Sequence, residues 1–175
     1  HMQHHSHTND PIMDPDYLTK AKNFKNAIWI NFFINTSGNN LYKDFVENLE
    51  EGQENNRTIF ESLLTNISYW TILIIFVWLG FGLEVACIWW IPRLIALGYV
   101  RMTLSWAPHH PMEEKGRYRN TRGFKAKIGT ILTMGMEYHI IHHLHPSIPL
   151  NLNPAAYRAL KPILMERNCR LDKNL

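Results

Sequence analysis

The chain has 175 residues, 46% of them hydrophobic, with six Trp, seven Tyr and eight Phe, which is enough for one domain with a real core. A net charge of +3 with no Lys/Arg-rich run and no nucleic-acid motif argues against a DNA or RNA footprint and leaves contact with a membrane surface as the reading of the basic balance. Two cysteines in unlike surroundings, Cys87 in an apolar belt and Cys169 in a basic tail, argue against a disulfide framework, and the mean hydropathy of -0.23 averages polar loops against that belt and hides both.

In chain order, His1 to Asp16 reads as a short helix end running into a turn broken by Pro11 and Pro15. It carries His1, His4 and His5 in H-M-Q-H-H; positions i, i+3 and i+4 share a helix face, so the spacing predicts three imidazoles aimed at one point. A purification tag would be an unbroken histidine run, whereas this one flows directly into T-N-D-P and D-P-D. Residues 17 to 40 set Tyr17, Phe24, Ile28, Trp29, Phe32 and Phe33 among lysines and asparagines, which suits an element at a lipid headgroup boundary. Leu41, Phe45 and Leu49 recur at helical spacing, a polar loop follows around Gly52, and periodicity resumes at Ile59, Phe60, Leu63 and Leu64.

From Ile67 to Leu83 there are 17 uncharged residues, then Glu84, then a second apolar run to about Trp106. A bilayer core of about 30 Å needs roughly 20 helical residues, so the pattern predicts two antiparallel spans, at about 63–83 and 85–106, turning near Gly80, Gly82 and Glu84, with a kink at Pro92. The rival is a buried helix hairpin of a soluble bundle. Five tryptophans between positions 70 and 106 favour the membrane, where such rings form interfacial belts. Two crossings return the chain to its starting side, and the cations after the second span, Arg101 and Lys115 to Lys127, assign that side to the cytoplasm.

Where the second span emerges, W-A-P-H-H-P offers His109 and His110. Alone it reads equally as a proline-bounded turn with solvated histidines and as a source of ligands. The second triplet, His139, His142 and His143 in H-I-I-H-H, repeats the spacing of the first and shifts the balance toward metal. A tetrahedral zinc takes four ligands; two triplets supply six and His109 a seventh, so a dinuclear site is the natural reading. Asp10, Asp14, Asp16 and Glu137 lie close enough in sequence to orient imidazoles from behind, or equally to be surface turn residues. All-histidine ligation beside a membrane points to oxygen chemistry on a lipid chain, and a membrane metal-binding protein without redox catalysis is the reading from another class. Transport is disfavoured because every histidine lies outside the apolar runs.

The motifs H-x-x-H-H-x-x-T-N-D-P-x-x-D-P-D, W-x-P-H-H-P followed by G-R-Y-R-N-T-R, and E-Y-H-I-I-H-H-L-x-P-S-I-P, on either side of a hairpin, closely resemble the integral-membrane fatty acid desaturase superfamily, in particular its bacterial branch of fatty acid desaturases and β-carotene hydroxylases. The resemblance implies an all-α integral-membrane protein with one transmembrane hairpin plus interfacial and cytosolic helices that carry the histidine boxes. On this reading residues 1–165 are the C-terminal part of the desaturase-like domain, and 166–175 are a basic tail. It further implies two non-haem iron ions at the cytoplasmic membrane face, held by His1, His4, His5, His109, His139, His142 and His143, with O2 as co-substrate. The expected activity is fatty acid desaturation, with hydroxylation of β-carotene or another lipid as the alternative. The implied partners are a lipid or carotenoid substrate, the membrane, and an electron donor such as ferredoxin or cytochrome b5, because the chain has no flavin, nicotinamide or iron-sulfur motif. His7, His110 and His145 are left outside the ligand set. The family's first histidine box, which lies upstream with further spans, has no match in these residues, so this polypeptide alone is expected to be inactive.

Overall fold

The structure, a computed structural model, describes residues 1–34, 53–127 and 129–172. The helical stripe expected at Leu41, Phe45 and Leu49 lies outside the described residues. The chain divides into two compact units, His1–Asn35 with Gly98–Leu175, and Thr36–Leu97. The described elements are almost all helical, as the sequence pattern implies.

Two long helices dominate. Neither Gly nor Pro interrupts Gln53–Trp78 (α3), which begins ten residues before the apolar run suggests, supported by an i,i+4 ion pair between Arg57 and Glu61 at 2.7 Å. It also stops five residues early. Gly80 takes the left-handed conformation, at φ +95. The Phe81 amide bonds back to the Phe76 carbonyl at 3.0 Å and the Gly80 amide to Val77 at 3.1 Å, while the Phe76 and Phe81 rings lie 6.2 Å apart. These are the two hydrogen bonds and the apolar contact of a Schellman stop.

The second run, Gly82–His109 (α4), is helical throughout. Its π-helical turns at Val85–Trp90 and Arg101–Trp106 each fall just before a proline, Pro92 and Pro108. Proline lacks an amide hydrogen and crowds the carbonyl four residues back, and a wider turn accommodates both. Between α3 and α4 the Trp89 indole donates to the Tyr69 hydroxyl at 3.0 Å, and the Trp70 and Trp90 rings sit 5.5 Å apart. Only 6% of each apolar window is buried, so these helices do not have the enclosed surroundings of a soluble core.

In the other unit, Met2–His7 (α1) leads through a 3-10 turn at Pro15–Thr19 to Phe24–Trp29 (α2), capped by the Asn23 side chain and continued as a π turn over Ile30–Ile34. Its burial is inverted for water: Ala27 and Asn31 are enclosed, while Phe24, Trp29 and Phe33 are each about 60% exposed. Phe32 packs so closely on Gly98 that a β-carbon there would lie 2.3 Å from its ring, so α2 can seat only against glycine. Ala21, Ala27, Met102 and Trp106 form the core under it.

His139–Leu144 (α5) reads H-I-I-H-H-L: the three histidines occupy one face, and Ile140, Ile141 and Leu144 occupy the other. That apolar face packs with Tyr157 and Leu164 of Asn153–Glu166 (α6). The segment set apart in sequence as a basic tail is tied in as far as the description reaches: Arg170–Leu171 (β2) pairs in parallel with Arg122–Gly123 (β1), and Cys169 and Leu171 pack on the same core.

Candidate metal centre

All seven implied ligands lie in the unit formed by the chain's two ends, but not triplet by triplet. His4, His109, His139 and His143 form one group and His1, His5 and His142 another, with the ligand atoms of each within 4.8 Å of one another. Each sequence triplet is therefore split between two groups, which corrects the expectation that each aims at one point. A shared helix face sets direction only to within a turn. Once α1 and α5 face each other, His1 and His5 meet His142, while His4 meets His139 and His143.

The four-histidine group is mostly buried and held from behind. The His4 Nδ1–H donates to Asp14 Oδ1 at 2.8 Å. Asp14 also accepts from the backbone amides of Asn9 and Asp16 at 2.6 and 2.9 Å. Burial pushes the Asp14 carboxyl up, but the His4 hydrogen bond and charge and the two amides outweigh it and hold it below its usual range. His109 Nδ1 faces the Asn120 carbonyl at 3.0 Å; a carbonyl only accepts, so this nitrogen carries the proton. In both rings the hydrogen sits on Nδ1, and Nε2 presents a lone pair. His4 Nε2 and His109 Nε2 are buried with no hydrogen-bond partner, the condition of a ligand atom awaiting a cation.

The three-histidine group is more open. Its three Nε2 atoms stand 3.1 Å from one another. A metal about 2.1 Å from each would subtend angles of about 95°, near the right angles of one face of an octahedron. The rings of His5 and His143 stack at 4.1 Å and join the two groups. Burial, then the neighbouring His142 and His4, lowers the His5 pKa to about 4. Burial followed by neighbouring imidazoles pushes His139 and His143 well down, and burial and His4 lower His142. Neutral imidazole is the form that binds metal, so the donor set fits one divalent cation per group.

Of the four carboxylates expected behind the ligands, Asp14 takes that position. Asp16 accepts from Ser105 Oγ at 2.9 Å and stands 3.9 Å from His4. Asp10 pairs with Lys115 at 2.6 Å and caps the Ile12 and Met13 amides, and Glu137 holds the Ala126 amide at 2.9 Å. His7, His110 and His145 lie outside both groups. Asn9 and Asn120 escaped the sequence reading as positioning residues. The Asn9 amide donates to the carbonyls of Glu114 and Asn120 at 2.7 and 2.8 Å, so Asn9 and His109 share one acceptor. Asn9 lies within the T-N-D-P motif, at φ 66; Asn120 acts through its backbone and leaves no mark in side-chain patterns. A polar cavity of about 430 Å³ lined by His5, Thr8, Lys115, Arg117, Asn120 and His143 opens onto both groups.

A family model described as "Fatty acid desaturase" matches residues 1–173. No curated protein and no solved structure matches the chain.

Proposed function

The chain belongs to the fatty acid desaturase family, and from that membership we propose that it carries the iron-holding part of an O2-dependent diiron desaturase of lipid acyl chains. One iron would be held by His4, His109, His139 and His143 and the other by His1, His5 and His142. The observation that carries this reading is the pair of all-imidazole groups in which His4 and His109 present buried, unpartnered Nε2 atoms. Iron in such a site supplies reduction of O2 coupled to hydrogen removal from an unactivated C–H bond. For desaturation the balance is two C–H hydrogens from the chain, plus two electrons and two protons from outside, with O2 leaving as two waters.

The residues of the chain orient and insulate. Asp14 and the Asn120 carbonyl hold the His4 and His109 rings in one tautomer and direction. The apolar face of α5 against α6 fixes the three histidines of that helix, and Arg117, donating to the Leu144 carbonyl at 2.9 Å, ties down the helix end. The cavity beside His5 and His143 gives water-borne protons a polar approach. Two membrane crossings put both histidine segments on one side, and the positive loop makes that side cytoplasmic. The electrons would come from a ferredoxin or cytochrome b5 type donor. Arg119 and Arg122 are spent on Glu114 and the Ala107 carbonyl, which leaves Lys125 and Lys127 exposed for an acidic partner.

The test is expression from the whole reading frame in a host whose membrane lipids are then profiled, beside metal analysis of the purified protein. New double bonds in acyl chains, lost in His142→Ala together with one of the two irons, are expected. Hydroxylated lipid or carotenoid instead would move the reading to a hydroxylase. Zinc in place of iron with unchanged lipids would overturn it.

A further inference from the structure

Ser105 lies in the second π turn of α4, four residues before His109, so the two side chains share one helix face. It is buried. A hydroxyl inside a helix commonly bonds back to a carbonyl of its own helix, as Thr103 does to Tyr99 at 2.8 Å. Ser105 instead donates across to another segment, to Asp16 Oδ2 at 2.9 Å.

Asp16 carries that bond to the histidines. Its backbone amide donates to Asp14 Oδ1 at 2.9 Å, the same oxygen that accepts from His4 Nδ1 at 2.8 Å, and Pro15 between the two aspartates stiffens the link by fixing its φ. The contacts close a ring. His109 and Ser105 stand on α4, Asp16 and Asp14 on the turn, and His4 faces His109 with ring centres 4.8 Å apart. A separate tie between the same segments, from the Trp106 indole to the Ala21 carbonyl at 3.3 Å, belongs to the core under α2, so their packing has a support other than Ser105.

We propose that Ser105 is a positioning residue of the four-histidine site: acting through Asp16, it sets the D-P-D turn against α4 and thereby the place of His4 relative to His109. The proposal rests on the metal reading given above. Ligands must be held to within about 0.5 Å of a productive geometry, and here the last closure of the ring that holds two of them is a single side-chain hydrogen bond. The nitrogens of His1, His5 and His142 face one another instead, so the effect is confined to the larger site.

The test uses the full chain with cobalt(II) as the probe metal and chelator competition as the readout. His142→Ala isolates the four-histidine site and His109→Ala the three-histidine site. Cobalt that binds in neither background overturns the metal reading and this proposal with it; the other failures touch this proposal alone. In His142→Ala, adding Ser105→Ala should weaken cobalt about tenfold and shift its visible bands, while in His109→Ala the same change should leave affinity within about twofold. Ser105→Thr, which keeps the hydroxyl, and Asp16→Asn, which keeps an acceptor oxygen, should each retain most of the binding. Asp16→Ala should reproduce the loss, and Ser105→Ala on top of it should add less than about twofold. Circular dichroism checks that each variant keeps its helices. Equal losses at both sites, additive losses with Asp16→Ala, an Asp16→Asn variant as weak as Asp16→Ala, or unchanged binding in Ser105→Ala would each overturn the proposal.

Discussion

The two histidine groups are built from the same residue type and both draw on α1 and α5, with His109 from the end of α4 completing the larger one, yet they differ in how they are supported. In the four-membered group, His4 and His109 are each locked by a second contact, to Asp14 and to the Asn120 carbonyl, and most of the group is buried. In the three-membered group His1 is exposed and His5 and His142 are half-buried, and the nitrogens face one another at 3.1 Å. One site is pre-organised by the protein; the other depends on the cation to hold its ligands together. Pre-organisation lowers the cost of binding, so the four-membered site should hold metal more tightly and survive harsher conditions.

The largest effects should come from removing one ligand per group. His109→Ala is expected to lose one iron of two, with at least a hundredfold weaker retention at that site, while His142→Ala loses the other; iron content after dialysis reads both. If either variant empties both sites, the groups are not separable. Next, Asp14→Ala removes the acceptor for His4 and for two backbone amides. It should weaken only the four-membered site, by about 10- to 100-fold, and lower stability by about 3 kcal/mol, measured by chelator competition and urea unfolding.

Acid should act on the metal-free fold. His5 has its pKa lowered from 6.5 to about 4, so between those values the unfolded chain binds the extra proton and the native state does not. Stability is level above about pH 6.5 and declines as pH falls toward 4, and it declines further below that as His139 and His143 are forced to charge. Bound metal should leave this slope in place and carry it below pH 4, because it keeps the native imidazoles unprotonated while the unfolded chain still charges, and a stability profile of the apo protein flat from pH 7 to 4 would contradict the assignment. The smallest effect belongs to Asn9→Ala, which loses two hydrogen bonds and puts alanine at φ 66. It should cost about 2 kcal/mol, with a modest loss of affinity at the four-membered site and none at the other.

Much of this was legible in the residues. Alternation of histidine and isoleucine along H-I-I-H-H-L predicts a helix with one metal-facing and one core-facing side, and that is how α5 packs. The hairpin follows from apolar length alone, though its turn does not: α3 ends where Gly80 and Phe81 build a Schellman stop, five residues before the apolar run gives out. The regrouping of the histidines was hidden for a different reason. Spacing reports which side chains share a face of one helix, while the partner of each is chosen by how α1 and α5 face each other across 141 residues of sequence separation, as between His1 and His142. Asn120 was hidden because its carbonyl, common to every residue type, does the positioning.

The most direct test is anomalous scattering at the iron edge from crystals of the iron-loaded protein. Two peaks are predicted per chain, one enclosed by His4, His109, His139 and His143 and one by His1, His5 and His142. A single peak, or two peaks each ringed by one sequence triplet, would contradict the account.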